Sequence, residues 1–159
     1  MRVKIGPYPN HRFYHNWLYK WFGYSPKQKI SVKIHKYDTW SMDKTLAPII
    51  LPMLKQLKET KHGSPSVSML DIPTSLHATR EQLDQCEKTG ETDPQFFERW
   101  DWILEEIIWA FEQKCKDDWE GDYYGENFEW FDRDGMKEHQ KRMSNGFRLF
   151  GKYFESMWD

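Results

Sequence analysis

Cysteine is nearly absent: Cys86 and Cys115 are the only two in 159 residues. Two thiols cannot build a disulfide framework, and their separation matches no zinc motif, so reduced cysteines are expected. Long apolar runs are missing too. Ile49–Leu51 is closed off by Pro48 and Pro52, far short of the ~20 residues a membrane helix requires. The first nine residues lack the apolar stretch of a signal peptide, so a soluble, intracellular protein with no membrane partner is expected. Motifs that name a reaction are likewise missing. There is no Gly-x-Ser-x-Gly elbow, no Gly-x-x-x-x-Gly-Lys loop and no Gly-x-Gly-x-x-Gly fingerprint. Neither cysteine has a neighbouring base in sequence. Nucleophilic catalysis therefore has no support, and neither a cofactor nor a catalytic residue is expected.

What the chain does contain is rings. Nine Trp, eight Tyr and ten Phe stand in a sequence whose mean hydropathy is only -0.90. Aromatic side chains bury large areas and dominate cores and binding faces alike. A folded domain with rings left over for a ligand or partner is the natural reading. Charge is unevenly placed. Residues 1–40 carry eight Lys/Arg against one acid, whereas residues 81–135 carry eighteen acids against five bases. Such polarity fits an internal electrostatic match or head-to-tail association of subunits, so a homo-oligomer is expected. It makes no strong case for nucleic acid, whose binders lean basic overall.

The pattern along the chain predicts an α+β fold, predominantly α-helical, with three or four main helices and a small N-terminal β-sheet in one domain spanning 1–159. Arg2–Ile5 reads as a short edge strand. His11–Phe22 places rings at helical spacing. Lys29–Lys36 alternates cleanly and predicts a half-buried strand. Ser41 is a plausible cap for a helix reaching Lys61, with a kink or late start imposed by Pro48 and Pro52. Thr79–Lys88 reads as a short helix. Asp93 and Pro94 form a start signal for a central helix to about Cys115, with Phe96, Phe97, Trp100, Ile103, Leu104, Ile107, Ile108 and Phe111 facing inward. Asn127–Phe131 alternates weakly. A last helix begins at Asp132, and Met143, Phe147, Phe150, Phe154 and Met157 mark a packing or self-association seam.

Two groups of polar residues are candidates for chemistry. His35, Asp38, Trp40 and Asp43 sit where a strand passes into a helix, a junction at which polar groups converge. Two carboxylates and an imidazole there also suit a metal ion, although Ser41 and Asp38 serve equally well as caps and Trp40 as core. On the last helix, His139, Arg142, Asn145, Gly146 and Lys152 project from one side. If a phosphate-bearing ligand binds, Arg142 and Arg148 supply bidentate donors and Lys33 a point charge, while Trp or Tyr rings stack on a base. Gly146 and Gly151 inside this helix raise the expectation of close approach by another backbone or a ligand. His11 and His15 stand four apart, but no Glu follows His11 as a zincin motif needs.

Four stretches, Val3–Tyr8, Lys33–Lys58, Trp100–Glu112 and His139–Phe154, resemble a family of small hypothetical proteins encoded by tailed bacteriophages. The resemblance spans nearly the whole chain. It implies a phage protein acting in the cytoplasm of an infected bacterial host, and it carries over no site. The expected function is then a non-enzymatic accessory binding protein, such as a counter-defence factor that sequesters a nucleotide-like small molecule. One alternative is a protein-protein inhibitor or adaptor of a host enzyme that uses the acidic face as a decoy. Another is a metal-dependent hydrolase built on His35, Asp38 and Asp43.

Overall fold

The computed structural model describes residues 1–7, 9, 12–125 and 129–158. The fold is α+β and predominantly helical, with five helices and a two-stranded antiparallel sheet among the described residues. The chain divides into two compact units, 1–45 and 46–159.

In the first unit, alternation yields β1 (Arg2–Ile5) and β2 (Ile30–Lys33). Their register sets Arg2 opposite Lys33, Val3 opposite Val32, Lys4 opposite Ser31 and Ile5 opposite Ile30. Because successive side chains point to opposite faces, the hairpin has one apolar face and one basic face. Helix α1 (Phe13–Phe22) ends at Gly23, whose φ of 64° is left-handed. The Gly23 amide donates to the Tyr19 carbonyl at 2.9 Å and the Tyr24 amide to that of Leu18 at 3.4 Å, closing the helix as a Schellman turn. The expected half-burial of β2 does not hold, since all four of its residues are exposed. No residue of α1 is buried either. Alternation reports that one face is apolar, not that anything covers it.

In the second unit the core is built on α4 (Phe96–Cys115). Trp100, Ile103, Leu104 and Ile107 are fully buried, together with Leu149 of α5 (Arg133–Lys152). Ala47 and Leu54 of α2 (Met42–Thr60) join them, with Val67 and Ile72 from the following connection. Helix α2 starts at Met42 despite Pro48 and Pro52, so the late start is not taken. Two lysines on α2 and Lys61 just after it reach carboxylates on α4: Lys55 to Glu112 at 2.6 Å, Lys58 to Glu105 at 2.7 Å and Lys61 to Asp101 at 2.6 Å. Helix α3 (Arg80–Thr89) carries a full capping box, in which Thr79 and Gln82 satisfy each other's amides.

Helices α4 and α5 approach closely at Gly146. A Cβ there would collide with the Ala110 Cβ and lie 2.7 Å from the Glu106 carbonyl oxygen. Phe111 meets Phe147 and Phe150 edge-on, at 5.2 and 5.0 Å. The deepest line of α5 runs through Gly146 and Leu149 to Tyr153, while Phe154 of the expected seam is 61% exposed. The helix stops at Lys152, and Phe154–Ser156 forms a 3-10 turn from which Phe154 faces outward, while Met157 beyond it packs against the core.

Helix α4 begins just past the expected signal, with Gln95 at the cap position, and the Asp93 carboxylate accepts from the Gln95 amide at 3.0 Å as a capping side chain does. The same carboxylate is buried against Arg99, with contacts of 2.8 and 2.7 Å. A buried guanidinium requires a paired carboxylate, and this one also donates to the Leu76 carbonyl at 2.8 Å. Phe97, expected inside, is 52% exposed. Asn127 and Phe128 lie outside the described residues, and Tyr124 and Phe131 beside them form an isolated antiparallel bridge.

Candidate functional site

The basic face of the hairpin is the first place where charged groups converge without neutralising one another. Arg2 and Lys33 are direct cross-strand partners, and like charges so placed weaken a strand pair. An open depression of about 360 Å³ lies beside them, lined by Met1, Arg2, Lys33, Ile34 and His35. Beyond it the chain turns through residues 36–41. The His35 amide donates to Asp38 at 2.6 Å, and the Met1 ammonium donates to the same carboxylate at 2.8 Å. That ammonium, and then the His35 amide, hold the Asp38 carboxyl below its ordinary value. Asp38 therefore acts as a clasp for the turn. The rings of Tyr37 and Trp40 stand 65% and 89% exposed, and Lys36 lies 4.9 Å over the Tyr37 ring. Asp43 falls in the first turn of α2, where a carboxylate favours the helix dipole.

The second group of predicted residues lies in the second unit, on α5. His139 stacks on Trp119, with 4.7 Å between centroids and 10° between planes, and lies 4.9 Å from Trp109. Its Nδ1 is 2.7 Å from the Tyr123 hydroxyl, while Nε2 is buried without a hydrogen-bond partner among the described residues. Burial lowers the His139 pKa, and the nearby charges of Lys116 and Arg142 lower it further against an opposing pull from Asp122. Burial also raises the Tyr123 hydroxyl, so this phenol keeps its proton.

Arg142, Arg148 and Lys152 of α5 are committed to carboxylates. Arg142 donates to both oxygens of Glu106, at 3.0 and 2.6 Å, while lying 4.0 Å over the Trp109 ring. Asn145 accepts from Arg148 at 3.0 Å. Arg148 also reaches Asp71 at 2.8 Å, and Lys152 pairs with the same carboxylate. Tyr153 donates to Asp71 at 2.8 Å. Burial alone would raise the Asp71 pKa, but hydrogen bonds from Lys152, Tyr153 and Arg148 outweigh it and hold the carboxyl low. What looked in sequence like a row of ligand-seeking cations is a set of clamps that fasten Asp71 and Glu106 to α5.

A third feature is a groove of about 690 Å³ between α2 and the C-terminal segment, lined by apolar side chains including Met53, Leu57, Phe150, Phe154, Met157 and Trp158. It offers no charged group to a polar ligand.

Of the predicted residues, Lys33 and His35 share the depression on the hairpin. Arg142 and Asn145 share a shallow depression with Glu138 and Lys141. These two sets belong to different units. Arg2 was missed in sequence, although the alternation of both strands was the signal that would have paired it with Lys33. Trp109, Trp119 and Tyr123 around His139 had no such signal, because three separate segments bring them together. Among the described residues no three His, Cys, Asp or Glu side chains are grouped to hold a metal ion, and His11 lies outside those residues. Comparison of the chain with protein-family models, with curated proteins and with solved structures finds no match.

Proposed function

We propose that this chain is a non-enzymatic binding protein whose first unit captures a phosphate-bearing, nucleotide-like molecule. One observation carries the reading: Arg2 faces Lys33 across the hairpin, beside His35, along one open depression. Among the described residues, no carboxylate forms an ion pair with either cation. A phosphate seated between them replaces repulsion with charge-assisted hydrogen bonds. The exposed ring of Trp40 supplies a stacking surface for a base. Arg142 and Arg148 drop out of this role because Glu106 and Asp71 hold them. In a chain resembling proteins of tailed phages, such capture withdraws a host signalling nucleotide during infection.

The test is native mass spectrometry on protein purified gently from bacteria, followed by calorimetric titration with mono-, di- and cyclic nucleotides. A retained nucleotide mass is expected. Arg2→Glu or Lys33→Glu should weaken binding by roughly 10- to 100-fold, as the loss of one charge-assisted hydrogen bond does. A clean apo mass with no heat from any nucleotide sinks the reading. The outcome then moves to the second one, an acidic decoy that inhibits a host enzyme. That alternative draws on the second unit, where fourteen Lys/Arg stand against twenty-three Asp/Glu.

A further inference from the structure

The basic side chains of the hairpin form a row, not a single pair. Because side chains alternate along each strand, Arg2 and Lys4 of β1 share a face with Lys33 and Ser31 of β2. The pairing runs one step past the strands, where the Gly6 amide donates to the Lys29 carbonyl at 2.9 Å. Lys29 therefore keeps the register of Ser31 and Lys33, and the residue opposite it has no side chain. From one end to the other the face reads Arg2–Lys33, Lys4–Ser31, Gly6–Lys29. All four cations are exposed, and among the described residues none forms an ion pair with a carboxylate. Residues 1–45 hold nine Lys/Arg and only two acids. Of those acids, Asp38 is held by the Met1 ammonium and Asp43 lies in the first turn of α2.

We infer that this face binds a short single-stranded oligonucleotide, taking successive backbone phosphates along the hairpin. The inference rests on the phosphate capture proposed above and extends it from one phosphate to three. Spacing is the first argument. Alternate residues of an antiparallel strand stand about 6.8 Å apart, which matches the separation of successive phosphates in an extended phosphodiester chain. The Arg2–Lys33 pair, Lys4 and Lys29 then meet three phosphates in a row. A mononucleotide engages one end of this row and leaves Lys4 and Lys29 without an anion.

Chemistry is the second argument and selects the occupant. Arg2 offers a fork that holds phosphate bidentately, the lysines are point charges, and the Ser31 hydroxyl is a further donor. Past the Arg2–Lys33 end the chain enters the turn that carries Trp40, whose ring is 89% exposed. A cationic track beside an open ring is how single strands are held without sequence preference. An extended acidic peptide matches the spacing but brings no base to the ring. A duplex keeps its bases paired and stacked, so it brings none either.

Calorimetric titration of the full chain with 5′-phosphorylated oligothymidylates of one to four nucleotides is the test. Affinity should rise with each nucleotide up to the third and level off at the fourth. The logarithm of the trinucleotide association constant should fall against that of salt with a slope of about -2, roughly 0.7 per phosphate. Lys29→Gln, at an exposed side chain, should lower trinucleotide affinity by about 3- to 10-fold and flatten that slope by about 0.7. Its affinity for the mononucleotide should be unchanged. Mononucleotide binding that does not strengthen with length overturns the inference and leaves capture of a single phosphate standing. Absence of heat at every length overturns both. Oligoglutamate that binds as tightly as the trinucleotide at equal salt also overturns it, as does a duplex that binds more tightly than its single strand.

Discussion

His139 is the residue through which pH should act on stability. It is wedged between Trp109 and Trp119, with Nε2 buried and unpartnered among the described residues. Burial lowers its pKa from the ordinary 6.5, so the unfolded chain takes up the proton first as pH falls. This contribution is therefore complete above the unfolded value, declines as pH drops below it, and levels off beneath the folded value. The melting temperature should fall between about pH 7 and pH 5, the range in which an unperturbed histidine begins to charge. His139→Phe, which keeps a ring in the stack, should flatten that slope, and parallel curves for the two proteins would remove His139 as its cause. The Asp93–Arg99 pair makes a sharper demand. Both side chains are almost fully buried, at 6% and 4% exposure. Arg99→Ala strands a carboxylate in the interior and should cost about 3–5 kcal/mol in urea unfolding. A loss within about 1 kcal/mol, the scale of an ordinary hydrogen bond, would show that water reaches Asp93.

At the scale of elements, two glycines of one helix show what sequence can and cannot tell. Both Gly146 and Gly151 read as sites of close approach, yet the structure separates them. A Cβ at 146 collides with Ala110 and the Glu106 carbonyl, while one at 151 meets nothing within 4 Å. Gly146→Ala should therefore destabilise by about 1–3 kcal/mol, since α4 backbone must move. Gly151→Ala should stabilise by about 0.5–1 kcal/mol, the helix preference of alanine over glycine. Shifts of the same sign in denaturant midpoint would contradict this assignment. Periodicity located α4, α5 and both strands because each signal lies within its own segment. The start of α5 at Asp132 was legible for the same reason, and the Asp132 side chain accepts from the Gly135 amide at 2.9 Å. The burial of Asp93 was not, because its pairing is decided by Arg99, which a carbonyl at Leu76 also holds. The nest around His139 was half visible, for its helix could be read but its three aromatic neighbours could not.

For the whole molecule, the opposed charges in the sequence map onto a structural division. The cationic, ring-rich stretch is a unit without one buried residue among those described in 1–45, and the acidic remainder holds the core. Backbone hydrogen bonds exposed in this way open locally at little cost, whereas those of a packed core open only with global unfolding. Hydrogen exchange should therefore be slowest along α4 from Trp100 to Phe111 and at Gly146–Leu149, and fast throughout α1, β1 and β2 in dilute protein. Addition of a bound nucleotide should slow the hairpin, where Arg2 and Lys33 face each other, and leave α4 unchanged. Amides of β1 and β2 that exchange equally fast with and without nucleotide would mean that the basic face holds no phosphate, and capture by this unit would then fail whatever the acidic unit binds.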